Sequence, residues 1–345
     1  MREMVDVGSH GTGKLGCSRQ VRRGCGHGND RVVAQGFSQS HPTERSGGTR
    51  PHHFTRGSAQ DPESILAKAG FENFPVASRF FPRELRPHLM KLYGFARLVD
   101  DLGDEAAGDR LGLLDGISAQ LDDVFARRAP AHPLLRGLAD TVSAFSLPRE
   151  PFDRLIDANR QDQSIASYRT FDDLLAYCHL SATPVGELVL RLAGACTPQT
   201  LALSDATCIG LQLAEFWQDL GEDMRMDRLY VPLEDLESYG CTVTDFERGH
   251  ADDRFRSLMA FEVERTRSFL ERGRPLGGLL RGRVGCAVRL FSAGGLAALA
   301  DLERRGYDTF GVSGGVSRRR LLVAGVRELV AGPLRHPAVW LGGGR

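Results

Sequence analysis

Two stretches of the chain carry acids at helical spacing. The first, at 93–105, reads Tyr93-Gly94-Phe95-Ala96-Arg97-Leu98-Val99-Asp100-Asp101-Leu102-Gly103-Asp104-Glu105. Residues four apart share a helix face, so Asp100 and Asp104 stack, with Arg97 one turn earlier on the same side. The second, at 212–223, reads Gln212-Leu213-Ala214-Glu215-Phe216-Trp217-Gln218-Asp219-Leu220-Gly221-Glu222-Asp223, and Arg228 and Tyr230 follow it. Asp219 and Asp223 repeat the spacing, Glu215 extends their stripe one turn back, and Glu222 continues a neighbouring row from Gln218.

Carboxylates so placed repel each other unless a cation lies between them. Mg²⁺ meets that need, because it takes oxygen ligands at about 2.0–2.1 Å and uses one or two carboxylates, with water and substrate phosphate completing its octahedron. Either pair alone also reads as a solvated acidic helix end. Against that, the acids at 100–104 sit at the C-terminal end of an apolar run, where the helix dipole disfavours negative charge. Two such pairs on long apolar helices, each with an arginine nearby, suggest a dinuclear or trinuclear Mg²⁺ cluster gripping a diphosphate. A diphosphate leaves carbon readily only when its departing charge is neutralised, and the carbocation left behind needs an apolar cavity closed to stray water.

The elements that must position these acids are helices. Helical stretches are expected from Pro82 through Val99 and beyond, then near 109–128, 133–145, 151–166, 171–194, 199–225, 252–273, 282–305 and 317–330, with Pro130, Pro148, Pro198, Pro232, Gly240 and Pro275 in the gaps. An earlier helix opens at Asp61-Pro62-Glu63 and stops at Gly70. Strand-like alternation and internal repeats are absent. These features give an all-α, single-domain helical bundle with a central apolar cavity, spanning 59–331. Residues 1–58, rich in Gly, Ser, His and Arg without apolar periodicity, read as a disordered extension, and 332–345 as a loose tail.

Lys+Arg and Asp+Glu both total 44, so no global field attracts nucleic acid, and any anion site must be local. Seven cysteines without a CxxC pair read as reduced thiols of a cytoplasmic protein. No signal-peptide core and no run approaching a membrane span is seen, which allows at most a peripheral contact with the inner face of a membrane. The apolar stretch Leu321-Leu322-Val323-Ala324-Gly325-Val326 is a candidate for that contact, or an ordinary core-facing helix.

Several separate segments, in order over about 64–330, resemble the squalene/phytoene synthases. Asn73-Phe74-Pro75-Val76-Ala77-Ser78-Arg79 is similar to the family's substrate-binding segment, the two acidic stretches to its aspartate-rich motifs, and Arg228-Leu229-Tyr230-Val231-Pro232 to the sequence after the second. Tyr177-Cys178-His179-Leu180-Ser181-Ala182-Thr183-Pro184-Val185-Gly186 resembles the helix that bends beside the reacting carbons, and Pro184 is a sufficient local cause for a kink. The resemblance implies that Asp100, Asp104, Asp219 and Asp223 bind Mg²⁺, with Asp101 and Glu215 as further candidates. It implies that Ser78, Arg79, Arg97, Gln212 and Arg228 hold diphosphate, and that Tyr177 lines the cation path. On the residues alone, Tyr177 reads rather as a core aromatic whose hydroxyl finds a partner.

Within the family the motifs are most similar to bacterial hopanoid-pathway members that ionise presqualene diphosphate, rearrange the cation and let water capture it. The alternatives are head-to-head condensation of two prenyl diphosphates and a non-catalytic lipid-binding assembly protein. No nicotinamide site is implied, since no GxGxxG follows a strand. Association with downstream enzymes of the squalene/hopanoid pathway is compatible with this reading. Two positions depart from the family's pattern. Glu215 stands where Asn is usual, and either adds a ligand or shifts the diphosphate. Gln218 stands where many relatives that condense two diphosphates carry Arg, which favours a substrate with one.

Overall fold

The computed structural model describes residues 81–310. Expectations for 1–58, for the helix at 61–70, for Ser78 and Arg79, for 317–330 with its apolar stretch, and for the tail at 332–345 fall outside the described residues.

Within the described span the chain is helix after helix: α1 (Arg86–Asp104), α2 (Arg110–Phe125), α3 (Pro133–Phe145), α4 (Glu150–Gln161), α5 (Phe171–Ser181), α6 (Thr183–Leu192), α7 (Pro198–Asp223), α8 (Leu233–Ser238), α9 (Val243–Glu247), α10 (Asp253–Gly273), α11 (Leu276–Leu279) and α12 (Gly282–Arg304). Among the described residues the one extended pairing is an isolated parallel bridge between Ser167 and Leu229.

Local chemistry sets the boundaries. Thr170 caps α5 and Thr197 caps α7 in reciprocal capping boxes with Asp173 and Thr200, and Asp252 caps α10 by accepting from the Phe255 N–H. Helix α1 starts at Arg86, later than the expected Pro82, because Pro87 belongs in a first helical turn, where its missing N–H costs nothing. The expected helix at 171–194 divides at Ala182, and Pro184 sits in the first turn of α6. Helix α4 stops at Gln161, short of the expected 166. Beyond it the chain is extended: the Leu229 N–H donates to the Ala166 carbonyl at 2.8 Å and the Leu233 N–H to that of Tyr168 at 2.9 Å. The loop after α4 is thereby tied to the loop after α7. Helices α8, α9 and α11 were not expected, being too short to display a period.

Two apolar clusters form the core. One gathers α1, α2, α3, α4 and α6 with α11 and the start of α12 around Phe95, Leu98, Leu121, Leu138 and Phe152. The other gathers α5, α7, α8 and α10 with the end of α12 around Trp217, Leu213, Leu258 and Leu299. Helix α12 is long and apolar enough to cross a membrane, but more than half of that stretch is buried and it packs on α7 and α10 as a core helix does.

The most extensive helix contact joins α7 to α10. Trp217 Nε1 donates to Thr266 Oγ1 at 2.7 Å in the core, and the Thr266 hydroxyl donates in turn to the Glu262 carbonyl at 2.8 Å. A Cβ on Gly273 would lie 2.2 Å from Thr207 Oγ1, 2.7 Å from the Thr207 nitrogen and 2.9 Å from the Leu203 carbonyl oxygen. Backbone atoms cannot step aside as a side-chain end can, so overpacking there costs about 1–3 kcal/mol. Gly273→Ala is expected to lower the thermal midpoint of the helical circular dichroism signal by several degrees; an unchanged midpoint would show that α10 shifts freely on α7.

Candidate active site

Three helices bring carboxylates to one cavity. From α1 come Asp100 and Asp104, from α4 Asn159 and, at its C-terminal boundary, Asp162, and from α7 Gln212, Glu215, Asp219 and Asp223. The cavity measures about 290 Å³, at the small end of the range for small-molecule sites. Six carboxylates line it among the described residues, with Arg228 as the one arginine. Beside Ser181 and Met226, its remaining wall is apolar and aromatic: Leu155 from the first core cluster, and Ala158, Tyr177, Phe216 and Tyr230 from the second. The cavity thus opens where the two clusters meet.

Helix C-termini present unpaired carbonyls and the negative end of the dipole, so carboxylates gathered there are doubly disfavoured. Asp100 is reached by solvent through the cavity yet densely surrounded by protein. Loss of hydration raises its pKa to about 6, opposed by a hydrogen bond from Asn159 Nδ2 at 3.2 Å, while the Asp104 charge adds to the rise. Burial, and then the charge of Asp219, pushes Asp223 up to about 7, with Arg228 pulling the other way. Asp219 is raised by burial and by Glu222. Arg228 Nη2 donates to Asp104 Oδ1 at 2.7 Å, crossing from the loop after α7 to the end of α1.

Tyr177 is buried. Its ring lines the cavity, and its hydroxyl donates to Asp162 Oδ2 at 2.7 Å. The rings of Phe216 and Tyr230 stack face to face with centroids 3.9 Å apart, and Tyr230 lies 5.9 Å from Tyr177.

Asp100, Asp104, Gln212, Glu215, Asp219, Asp223, Arg228 and Tyr177 are therefore brought together as expected. Arg97 and Asp101 are not. Arg97 Nε pairs with Asp101 Oδ1 at 2.8 Å and its Nη2 reaches Glu105 at 3.2 Å, and neither Arg97 nor Asp101 lines the cavity. The reason is the same spacing that stacked the acids: Arg97 and Asp101 are four apart, and Asp101, almost wholly buried, takes the nearest cation. Arg97 still reaches the site through its field, holding the Asp100 pKa down.

Asp162, Asn159 and Ser181 also line the cavity and were not foreseen. No partner acid at helical spacing marks Asp162 in the sequence. The available signal was an acid at the C-terminal boundary of a helix, the same misplacement that singled out Asp100 and Asp104.

The donor set consists of hard oxygen atoms on separate helices. Among the described residues no three acids close into a preformed metal cage. Oxygen donors of this kind could hold a hard cation such as Mg²⁺, which takes one or two carboxylates and completes its shell with water and phosphate.

A profile of the squalene/phytoene synthases matches residues 67–326. The chain belongs to the squalene/phytoene synthase family. Within that family it is 35% identical to the hydroxysqualene synthase of Zymomonas mobilis over 58% of this chain and 68% of that one. It is 32% identical to the phytoene synthase of Arthrospira platensis over 69% and 82% respectively. The crystal structure of squalene synthase HpnC from Alicyclobacillus acidocaldarius superposes with a TM-score of 0.68 at 44% identity, covering 71% of this chain and 93% of that one. The fold is the helical isoprenoid synthase bundle of these relatives, and the chain is an isoprenoid synthase.

The raised carboxylates have a consequence for stability. A carboxylate whose folded pKa lies above its unfolded value stabilises the fold fully below the unfolded value and loses that contribution as pH rises through the folded one. Asp100 and Asp223 rise from 3.8 to about 6 and about 7. Metal-free protein is therefore expected to lose thermal stability between pH 4 and about 7 at these two sites, and Asp223→Asn should flatten the slope. Melting curves in chelator across that range test it; a slope unaltered by the substitution would mean the charge is neutralised elsewhere.

Proposed function

We propose that this chain is a Mg²⁺-dependent hydroxysqualene synthase, converting presqualene diphosphate to hydroxysqualene by ionisation, cation rearrangement and capture by water. The observation that carries the reading is the make-up of the cavity. Among the described residues it offers one arginine to a diphosphate, opposite six carboxylates, and beside them a polar wall of Asn159, Ser181 and the Tyr177–Asp162 pair. A polar wall next to an aromatic one gives a water molecule a place. The relatives named hydroxysqualene synthase support the same reading.

In this mechanism Asp100, Asp104, Asp219 and Asp223 hold Mg²⁺, with Glu215 as an additional ligand or as a charge that sets where the diphosphate lies. When bound, the metal neutralises charge on the departing diphosphate. Arg228 would donate its fork to phosphate oxygens, and Gln212 would add an amide donor. Ser78 and Arg79, outside the described residues, would complete that grip. The faces of Tyr177, Phe216 and Tyr230 shelter the carbocation, whose charge an aromatic face attracts. Arg97 has no place in this grip and instead holds Asp101 under α1. A thirty-carbon substrate and product are barely soluble, which calls for exchange with a lipid surface.

Condensation of two prenyl diphosphates is the second reading, favoured by the similarity to phytoene synthases. Substrate decides between them: purified protein with Mg²⁺ is expected to turn over presqualene diphosphate to an alcohol without NADPH, and to leave farnesyl and geranylgeranyl diphosphate alone. A hydrocarbon from either of the latter would establish the second reading. Asp219→Ala should cut turnover by at least about 100-fold, the scale for losing a group that stabilises transition-state charge, with helical circular dichroism intact. Full activity in that variant rules out the metal role.

A further inference from the structure

The reaction proposed above releases a proton, and the residues assigned so far leave it without an acceptor. When water adds to a carbocation, the oxygen forms its bond to carbon using a lone pair and becomes a protonated alcohol, which must lose one proton to give the product. The diphosphate is a poor candidate base once metal and Arg228 have neutralised it. Asp100, Asp104, Glu215, Asp219 and Asp223 stand on the metal-facing stripes of α1 and α7. One cavity-lining carboxylate among the described residues stands apart from those stripes, Asp162 at the end of α4.

Its geometry fits the task. Tyr177, buried beside the aromatic wall, donates its hydroxyl proton to Asp162 Oδ2 at 2.7 Å. The phenol oxygen keeps its lone pairs, so it can accept a proton from the cavity side while passing its own to the carboxylate. Resting on the hydroxysqualene reading, we propose that Asp162 is the proton acceptor of the water-capture step, reached through Tyr177. Water gives its oxygen to carbon and one proton to the Tyr177 oxygen, the original Tyr177 proton moves to Asp162, and the products are an alcohol and a neutral carboxylic acid. Asp162, part-buried and not sealed from solvent, then returns the proton to water.

Two electrostatic facts make the concerted path the favourable one. Burial holds the Tyr177 phenol far above its ordinary pKa, so a free phenolate is not available as the base. Burial also raises Asp162, to about 6, against the pull of the Tyr177 hydrogen bond and the Arg228 charge. A carboxylate so tuned is ionised at neutral pH yet basic enough to take a proton, as general-base catalysis requires. The same burial makes Tyr177 worth retaining as a relay, since its ring shields the cation while its oxygen faces the carboxylate.

Asp162→Asn separates holding Tyr177 from accepting its proton. The amide oxygen still accepts the Tyr177 hydrogen bond, but an amide is too weak a base to keep the proton. The experiment uses the full chain, Mg²⁺ and presqualene diphosphate, and reads diphosphate released against alcohol and olefin formed. In Asp162→Asn and in Tyr177→Phe the ratio of alcohol to olefin is expected to fall by at least about tenfold relative to wild type, a modest share of what a general base contributes. In wild-type protein, which needs no variant to fold, the same ratio should fall in heavy water, because capture then transfers deuterons. An unchanged ratio in Asp162→Asn, or in wild type on transfer to heavy water, overturns the proposal even if total turnover drops. Wild-type protein that releases no diphosphate from presqualene diphosphate overturns the underlying reading as well, so the two failures are told apart.

Discussion

The constraint on which this structure turns is the gathering of negative charge where helices α1, α4 and α7 end. Each terminus already carries the negative end of its dipole, and the chain adds carboxylates to all three. Loss of hydration, and behind it the charge of neighbouring acids, holds Asp100, Asp162 and Asp223 well above the ordinary carboxylate range. A site so built favours any cation that enters it. Among the described residues Arg228, bridging to Asp104, is the arginine that the cavity wall supplies.

Holding like charges together needs a stiff frame. Much of it is the contact of α7 with α10, drawn close by glycine at 210 and 273 and fixed by the Trp217–Thr266 hydrogen bond. Behind that contact Arg265 pairs with both oxygens of Asp235 at 2.8 and 3.0 Å while lying over the rings of Phe171 and Phe261. Glu262, buried beside this pair, is raised to about 8 chiefly by loss of hydration. A neutral acid there avoids the cost of a second buried charge. This cluster pins α8, and with it the loop bearing Arg228 and Tyr230, to the long helices.

Family membership by itself leaves the reaction's end point open, because relatives named hydroxysqualene synthase and phytoene synthase match at similar identity. The shared part of the chemistry belongs to the acids. After ionisation, the fate of the cation depends on the wall it meets, and here that wall mixes stacked aromatics with a hydrogen-bonded Tyr177–Asp162 pair. Function of this kind is argued from the site and not from the bundle that carries it.

The helical class, most helix positions and both acid pairs were legible in the sequence because each is a local property: apolar periodicity, capping residues, and acids four apart. Helix α3 came out at its expected bounds, and α10 and α12 within a residue. Other features depend on residues far apart in the chain and have no local signature. Arg228 meets Asp104, more than a hundred residues earlier, only because the loops after α4 and α7 pair through Ala166 and Leu229. Asp162 looked like one acid among many until the end of α4 was placed against Tyr177. Spacing along a helix determines which side chains share a face, whereas tertiary packing alone decides which faces, and which helix ends, meet around one cavity.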